Sequence, residues 1–221
     1  MSLTSPHIRR NKLKVCCLAD THTLENRVYV PWCDLILHAG DITNTGELES
    51  LESFNEWCRK QTVPVICIPG NHDRSLPDQA AREILTHCTL LLDSETTFNG
   101  YKIYGSPWTP WFGGHYWAFN KYRGKEIKEV WDKIPKDTDI LITHGPPNGV
   151  LDRVPRTYTP QGCEELRTIL NGMKLKLHVF GHLHLQGGIK WQDPNNRTWY
   201  VNAAVCNEAY EPINPITVID I

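Results

Sequence analysis

Leu13-Lys-Val-Cys-Cys-Leu-Ala-Asp20-Thr-His22 decides the architecture. A short apolar run, Leu13 to Ala19, stops at an acid and a histidine two residues apart. Runs of this length and composition read as strands buried on both faces. The unit recurs along the chain. Asp34 to His38 carries Leu35, Ile36 and Leu37 and leads into Gly40-Asp41. Val63 to Ile68 leads into Gly70-Asn71-His72-Asp73, Asp139 to Thr143 into His144-Gly145, and Leu175 to Phe180 into Gly181-His182-Leu183-His184. Each expected strand hands over to a polar motif at its carboxyl end. In open α/β sheets that edge is where sites form.

The intervening segments read as helices. Leu48, Leu51, Phe54, Trp57 and Cys58 recur at steps of three and four, with Thr45 as candidate cap and Glu47 and Glu49 suiting the positive end of the helix dipole. Ile127, Val130, Trp131 and Ile134 share a face that Pro135 closes. Thr159-Pro160 reads as a cap and first-turn pair opening a helix through Cys163, Leu166, Ile169 and Leu170, which Asn171-Gly172 ends. Strand–helix–strand alternation predicts an α/β fold with crossover helices. The tail reads as antiparallel strands: Gly188 to Gln192, Arg197 to Val201 and Ile216 to Ile221, with a turn at Asp193-Pro-Asn-Asn196. No repeat, low-complexity tract or long linker interrupts the pattern. One domain over 1–221 is expected, its ordered core spanning about 13–221.

Bulk properties narrow the function. At 40% hydrophobic residues, the 221-residue chain can bury a substantial interior. A net charge of −2 provides no basic field for a nucleic-acid partner. No run approaches the length of a membrane span, and the basic, polar start (Arg9, Arg10, Lys12, Lys14) lacks the apolar stretch of a secretory signal. Eight cysteines without a C-x-x-C suit reduced, mostly buried thiols, so a cytoplasmic setting is expected. Cys16 and Cys17, adjacent in one strand, should face opposite sides.

The motifs together offer seven oxygen and nitrogen ligands: Asp20, His22, Asp41, Asn71, His144, His182 and His184. That number and type can hold two divalent cations side by side. Two metals about 3.5–4 Å apart are a device for in-line displacement at phosphorus. Asp20 and His22, two apart on an extended segment, can grip one cation. His182 and His184 could face one metal or straddle two. Two divalent cations against two carboxylates leave roughly two positive charges, enough to attract a phosphate ester and to bring a bound water's pKa towards about 7. A hydroxide bridging the metals then serves as nucleophile. Mixed nitrogen and oxygen donors suit manganese, iron, zinc or cobalt.

In this order the motifs resemble those of the calcineurin-like metallophosphoesterases: D-x-H, G-D, G-N-H-D/E, H and G-H-x-H. The resemblance runs from Leu13 to about Ile221. It implies a four-layer sandwich of two mixed β-sheets flanked by helices. It also implies that Asp20, His22 and His184 hold the first metal, that Asn71, His144 and His182 hold the second, and that Asp41 bridges. His72 would bind no metal and would donate a hydrogen bond or proton to the phosphate or leaving oxygen. Three stretches, Gly105-Ser-Pro-Trp-Thr-Pro-Trp-Phe112, Thr143-His-Gly-Pro-Pro147 and Leu177-His-Val-Phe-Gly181, are similar to the metallophosphoesterase-domain-containing proteins in particular. Members of that group act as metal-dependent phosphodiesterases on cyclic nucleotides and artificial diesters. Some members lack the first histidine of G-H-x-H and are weak enzymes. His182 is retained here, which implies a complete second metal site and real turnover.

The chain departs from the protein Ser/Thr phosphatases, which read G-D-x-x-D-R-G where this one reads Gly40-Asp41-Ile-Thr-Asn44-Thr45-Gly46. Thr45 replaces the arginine that would clamp a phosphomonoester. Asn44 replaces the aspartate that would orient His72. Its amide can accept a hydrogen bond but adds no charge. Both changes favour a diester, with cyclic nucleotides or other nucleotide diesters as the expected substrates. The alternatives are a phosphomonoesterase, including a protein phosphatase, and a non-catalytic scaffold.

Trp108, Trp111, Phe112, Tyr116, Trp117 and Phe119 crowd one stretch, and Trp108 and Trp111 are candidates to stack a nucleobase. The alternative is a self-packed loop. His38 and His178 are candidates to support ligands from behind or to sit as satisfied core residues. Arg153 and Arg156 suit a solvated loop that could reach a phosphate. His7, His87 and His115 stand beside no motif.

Overall fold

Alternation within β1 (Lys14–Leu18) sets the layering. Val15 and Cys17 point to one face and join a buried cluster with Leu35, Leu37, Ile103, Ile142 and Val179. Cys16 and Leu18 point to the other and pack with Ile36, Leu51, Phe54 and Trp57. The two neighbouring cysteines thus lie in different cores, as the period of two requires. The computed structural model describes residues 12–155 and 159–221.

Onward from β1 the elements are β2 (Leu35–His38), α1 (Leu48–Lys60), β3 (Val65–Cys67), α2 (Gln79–Arg82) and β4 (Thr89–Leu90). β5 (Ser94–Phe98) and β6 (Tyr101–Ser106) form a hairpin; β7 (Thr109–Pro110) and β8 (Asn120–Lys121) form a small ribbon. Then come α3 (Lys125–Trp131), β9 (Ile140–Thr143), α4 (Glu164–Leu170), β10 (Leu177–Phe180), β11 (Ile189–Gln192), β12 (Trp199–Asn202) and β13 (Thr217–Asp220).

One sheet has the order β13-β1-β2-β3-β4 and the other β11-β12-β10-β9-β6-β5. β1, β2 and β3 are parallel, with Val15 opposite Leu35 and Ile36 opposite Val65. β13 closes the first sheet antiparallel to β1. β6, β9, β10 and β12 are parallel in the second, and β5 and β11 are its antiparallel edges. Both sheets are therefore mixed. Their facing sides share one apolar cluster. Helix residues Leu51, Phe54, Trp57 and Ala81 cover the outer face of the first sheet. Ile127, Val130, Trp131, Leu166 and Leu170 cover that of the second. The result is the helix–sheet–sheet–helix sandwich expected.

The carboxyl rims of the two sheets meet. Ala19 bridges Ala204, and Val205 N donates to Ala19 O at 2.9 Å. Loops from both sheets therefore converge at one edge. Among the described residues no helix is long and apolar enough to cross a membrane.

Two helix starts differ from expectation. Glu47, not Thr45, occupies the cap position of α1, and the Thr45 amide and hydroxyl both bond the Glu47 carboxylate. α4 begins at Glu164, with Cys163 Sγ accepting from Leu166 N. Thr159-Pro160 cannot open it because the chain before Glu164 is held extended. Cys163 N donates to Pro146 O at 2.9 Å, and Gly162 lies so close to Pro147 that a Cβ would sit 2.6 Å from its carbonyl. The β5–β6 hairpin adds to what the sequence predicted. Its turn, Asn99-Gly100, has both φ angles positive (47° and 78°), the conformation that favours this dipeptide in two-residue hairpins.

Candidate metal centre

The motif loops leave their strands in strained or left-handed backbone. Asp20, His22, Asp41 and His182 have φ of 53°, 44°, 55° and 69°. Non-glycine residues adopt this region seldom, and such strain gathers at functional sites. The surrounding contacts hold it. Asp20 N donates to Gly40 O (2.8 Å) and His22 N to Asp41 O (3.1 Å). The motif glycines make room for carboxylates: a Cβ at Gly70 would lie 2.2 Å from Asp41 Oδ1, and one at Gly181 would lie 2.0 Å from Asp20 Oδ2. Asp73, to which the sequence reading gave no role, ties two loops together. Its carboxylate accepts from Gly70 N (2.8 Å), Ile42 N (3.2 Å) and Thr43 N (2.8 Å).

Three histidines are oriented by backbone carbonyls. His22 Nδ1 meets Thr43 O (3.3 Å), His144 Nδ1 meets Ala39 O (2.8 Å), and His184 Nδ1 meets Asn207 O (3.0 Å). A carbonyl only accepts, so each Nδ1 carries a proton and each Nε2 faces the site, where a bound cation would take the place of any proton the neighbouring carboxylates hold on it. Those Nε2 atoms converge on the acids. His184 Nε2 is 3.4 Å from Asp20 Oδ1; His144 Nε2 is 3.3 Å from Asp41 Oδ2 and 2.9 Å from Asn71 Oδ1; His22 Nε2 is 3.9 Å from Asp41 Oδ2. Asp20–His22–His184 and Asp41–His144–His182 each form a cluster whose ligand atoms lie within 4.8 Å of one another. His22 belongs to a further cluster with Asp41 and His72. All seven predicted ligands thus come together at one rim.

The electrostatics suit cations. Burial opposes charge on Asp20 and Asp41, yet His184 and His144 hold both carboxyls below the usual range. Burial likewise opposes charge on His144 and His184, yet the Asp41 and Asp20 carboxylates carry each to about 9. Burial keeps His182 neutral, with a pKa of about 3. His22 Nε2 is buried and has no hydrogen-bond partner among the described residues. Two buried carboxylates, an amide oxygen beside His144 and an orphaned imidazole nitrogen, gathered in adjoining clusters, fit divalent cations.

His72 stands beside this cluster. Asp41 Oδ1 accepts its backbone N–H (2.8 Å), and His72 Nδ1 donates to Asn44 O (2.5 Å). The expected side-chain contact from Asn44 is thereby corrected. The carbonyl orients His72, because the Asn44 amide turns to Thr23 Oγ1 at 3.4 Å. Trp117 and Tyr210 flank the imidazole, at 4.4 and 6.2 Å between ring centroids. Tyr210 also meets His22 at 4.7 Å, and no sequence signal pointed to it. Trp111 lines a cavity that also contains His182. Trp108 packs among core residues and donates its indole N–H to Asp93 Oδ2 (2.9 Å).

His38 and His178 lie buried behind the site, one per sheet, each against a threonine beside a candidate ligand. His38 Nε2 bonds Thr21 Oγ1 (3.0 Å), between Asp20 and His22, and His178 Nε2 bonds Thr143 Oγ1 (2.8 Å), next to His144. Arg153 is exposed, and its backbone N–H donates to Gln186 Oε1. Arg156 and His7 lie outside the described residues.

The sandwich and its converging acids and imidazoles define a metal-binding phosphoesterase, and the family comparison agrees. Residues 8–186 match the calcineurin-like phosphoesterase model, so the chain belongs to that family and is a hydrolase of phosphate esters. It is 39% identical to human metallophosphoesterase domain-containing protein 1, over 93% of this chain and 70% of that one. At 24% and 25% identity it is similar to a probable cyclic nucleotide phosphodiesterase of Synechococcus and a probable glycerophosphodiester phosphodiesterase, GpdQ, of Arcobacter nitrofigilis. These alignments cover 68% and 73% of this chain and 58% and 60% of those proteins. Among solved structures, TT1561 of Thermus thermophilus shares the fold, with a TM-score of 0.60 at 13% identity, covering 87% of this chain and 89% of that one.

Proposed function

We propose that this protein is a metal-dependent phosphodiesterase acting on small diesters, nucleotide diesters and cyclic nucleotides among them. The observation that carries the reading is the cavity over the ligands. Among the described residues that line it, none is Lys or Arg. Thr45, at the position of a phosphatase arginine, is engaged with Glu47. Among the described residues a dianionic monoester would find no second clamp there, whereas a diester carries one charge fewer and needs less. Two distant relatives bear phosphodiesterase names, which supports the same choice.

Asp20, His22 and His184 would hold one divalent cation, Asn71, His144 and His182 the other, with Asp41 between them. Bound there, the pair would offset phosphoryl charge and lower the pKa of a water towards about 7. Manganese, iron, zinc and cobalt all suit these donors. The protein's own contribution is orientation. The Thr43, Ala39 and Asn207 carbonyls fix the imidazoles. His72, held by the Asn44 carbonyl, would offer its other nitrogen to a phosphate or leaving oxygen. Trp111 would give a ring face to an organic group of the substrate. Eight free thiols suit the reducing cytoplasm, the compartment we propose.

Metal-loaded protein assayed with a nitrophenyl diester and the matching monoester tests the reading. Faster turnover of the diester is expected; cleavage of the monoester alone would refute it.

A further inference from the structure

The cleft above the ligands is divided. One chamber, about 240 Å³, has Asp41, Asn71 and His184 at its base and His72, Trp117 and Tyr210 around it. A second, about 470 Å³, opens against Pro110, Trp111 and Pro146. Phe112, Val154, His182 and Leu183 line both. The chambers therefore share a wall, and a candidate metal ligand stands in it. The Phe112 ring lies 5.0 Å from that of His182.

The second chamber suits a ring and not a phosphate. Its one Lys or Arg side chain among the described lining residues is Arg123, and that guanidinium is already engaged. It donates to Gly162 O (2.9 Å) and Gln161 O (2.8 Å) and pairs with the Glu164 carboxylate. What remains is mostly apolar surface with two aromatic faces, Trp111 and Phe112. Both are exposed, at 41% and 47%.

We propose that the second chamber receives the retained organic arm of a phosphodiester, an arm ending in a flat ring, while the other arm leaves on the His72 side. This rests on the phosphodiesterase reading and deepens it. Phosphorus over the ligands sits in the first chamber, which leaves one organic arm of a diester on its His72 side and directs the other across the shared wall into the second. A monoester has one. The chemistry named is a planar π-face, which a nucleobase and an aryl group both provide. Stacking of ordinary strength corresponds to about 5- to 150-fold in affinity.

Three diesters sharing a nitrophenolate leaving group test this on manganese-loaded protein; the retained arm is methyl, phenyl or thymidine. The ring-bearing substrates should exceed the methyl ester in kcat/KM by about tenfold or more, chiefly through KM. Trp111→Ala should shrink that ratio to about threefold or less, and Trp111→Phe should preserve it. A phenyl arm equal to thymidine assigns the chamber to any flat ring; a thymidine advantage assigns it to a base. Equal kcat/KM for all three arms, or an equal loss for all three in Trp111→Ala, overturns the proposal. If no diester is hydrolysed, the phosphodiesterase reading fails separately. Calorimetry with phenylphosphonate and methylphosphonate then tests the chamber itself. A phenyl preference of about tenfold that Trp111→Ala removes sustains it; no preference sinks it.

Discussion

Replacing His178 with Gln should flatten the acid limb of the stability curve. His178 is fully buried among Thr143, Phe180 and Tyr200, and burial lowers its pKa from 6.5 to about 3. The unfolded chain takes up a proton near pH 6.5 while the folded protein does not. Stability is therefore lost as pH falls below about 6.5, and the loss levels off near pH 3, where the folded state also protonates. At 1.36 kcal/mol per pH unit, the loss between pH 7 and pH 5 is about 2 kcal/mol, and its limit is about 5 kcal/mol. Gln keeps a hydrogen bond to Thr143 and cannot titrate. Urea unfolding at both pH values, with chelator present so that metal release does not contribute, measures the difference. Wild type should lose about 2 kcal/mol more than His178→Gln, roughly a 1 M change in midpoint at a common slope. His38, lowered to about 4, and His182, lowered to about 3, contribute equally to both proteins and cancel. Equal pH dependence in the two proteins, or an NMR titration of His178 near pH 6.5, would refute the reasoning.

His72→Ala should retain its metals by elemental analysis and lose about 100-fold or more in rate, the scale of a lost proton or charge donor; loss of metal would instead make His72 a ligand, a role its proximity to His22 and Asp41 permits. Asp41→Asn should weaken both metals together in a chelator competition, since Asp41 stands between His22 and His144; unaltered occupancy of both would argue against a bridge. Gly181→Ala places a methyl group 2.0 Å from Asp20 Oδ2, so Asp20 must shift. Metal affinity should fall about 10- to 100-fold, as when a ligand's support is removed, with an unchanged circular dichroism spectrum.

The candidate centre was legible because its residues sit in short motifs immediately after apolar runs, and a strand's exit fixes where its next residues lie. Asp20, His22, Asp41, Asn71, His144, His182 and His184 all follow that rule. What was not legible depends on residues distant in sequence. The Asn44 carbonyl, and not its side chain, reaches His72, because loop geometry decides which atom of a residue is presented. Trp108 and Trp111 belong to one aromatic stretch, yet one is spent on Asp93 and packing while the other lines a cavity beside His182. Tyr210 has no motif. It reaches His22 and His184 from the segment between β12 and β13, where Asn207 Oδ1 accepts from Ala209 N and Glu211 N and holds the turn.

From the sequence alone came the strands that lead into the motifs and those of the tail, the faces they bury, the candidate ligand set and the edge at which its members gather. These follow from local periodicity and from which residue types can bind a cation. The tertiary structure alone decided which ligands share a point, which carbonyl sets each imidazole's tautomer, and that the cleft has two chambers. Those properties arise where loops of two different sheets meet, and packing between distant segments, not local preference, sets that meeting.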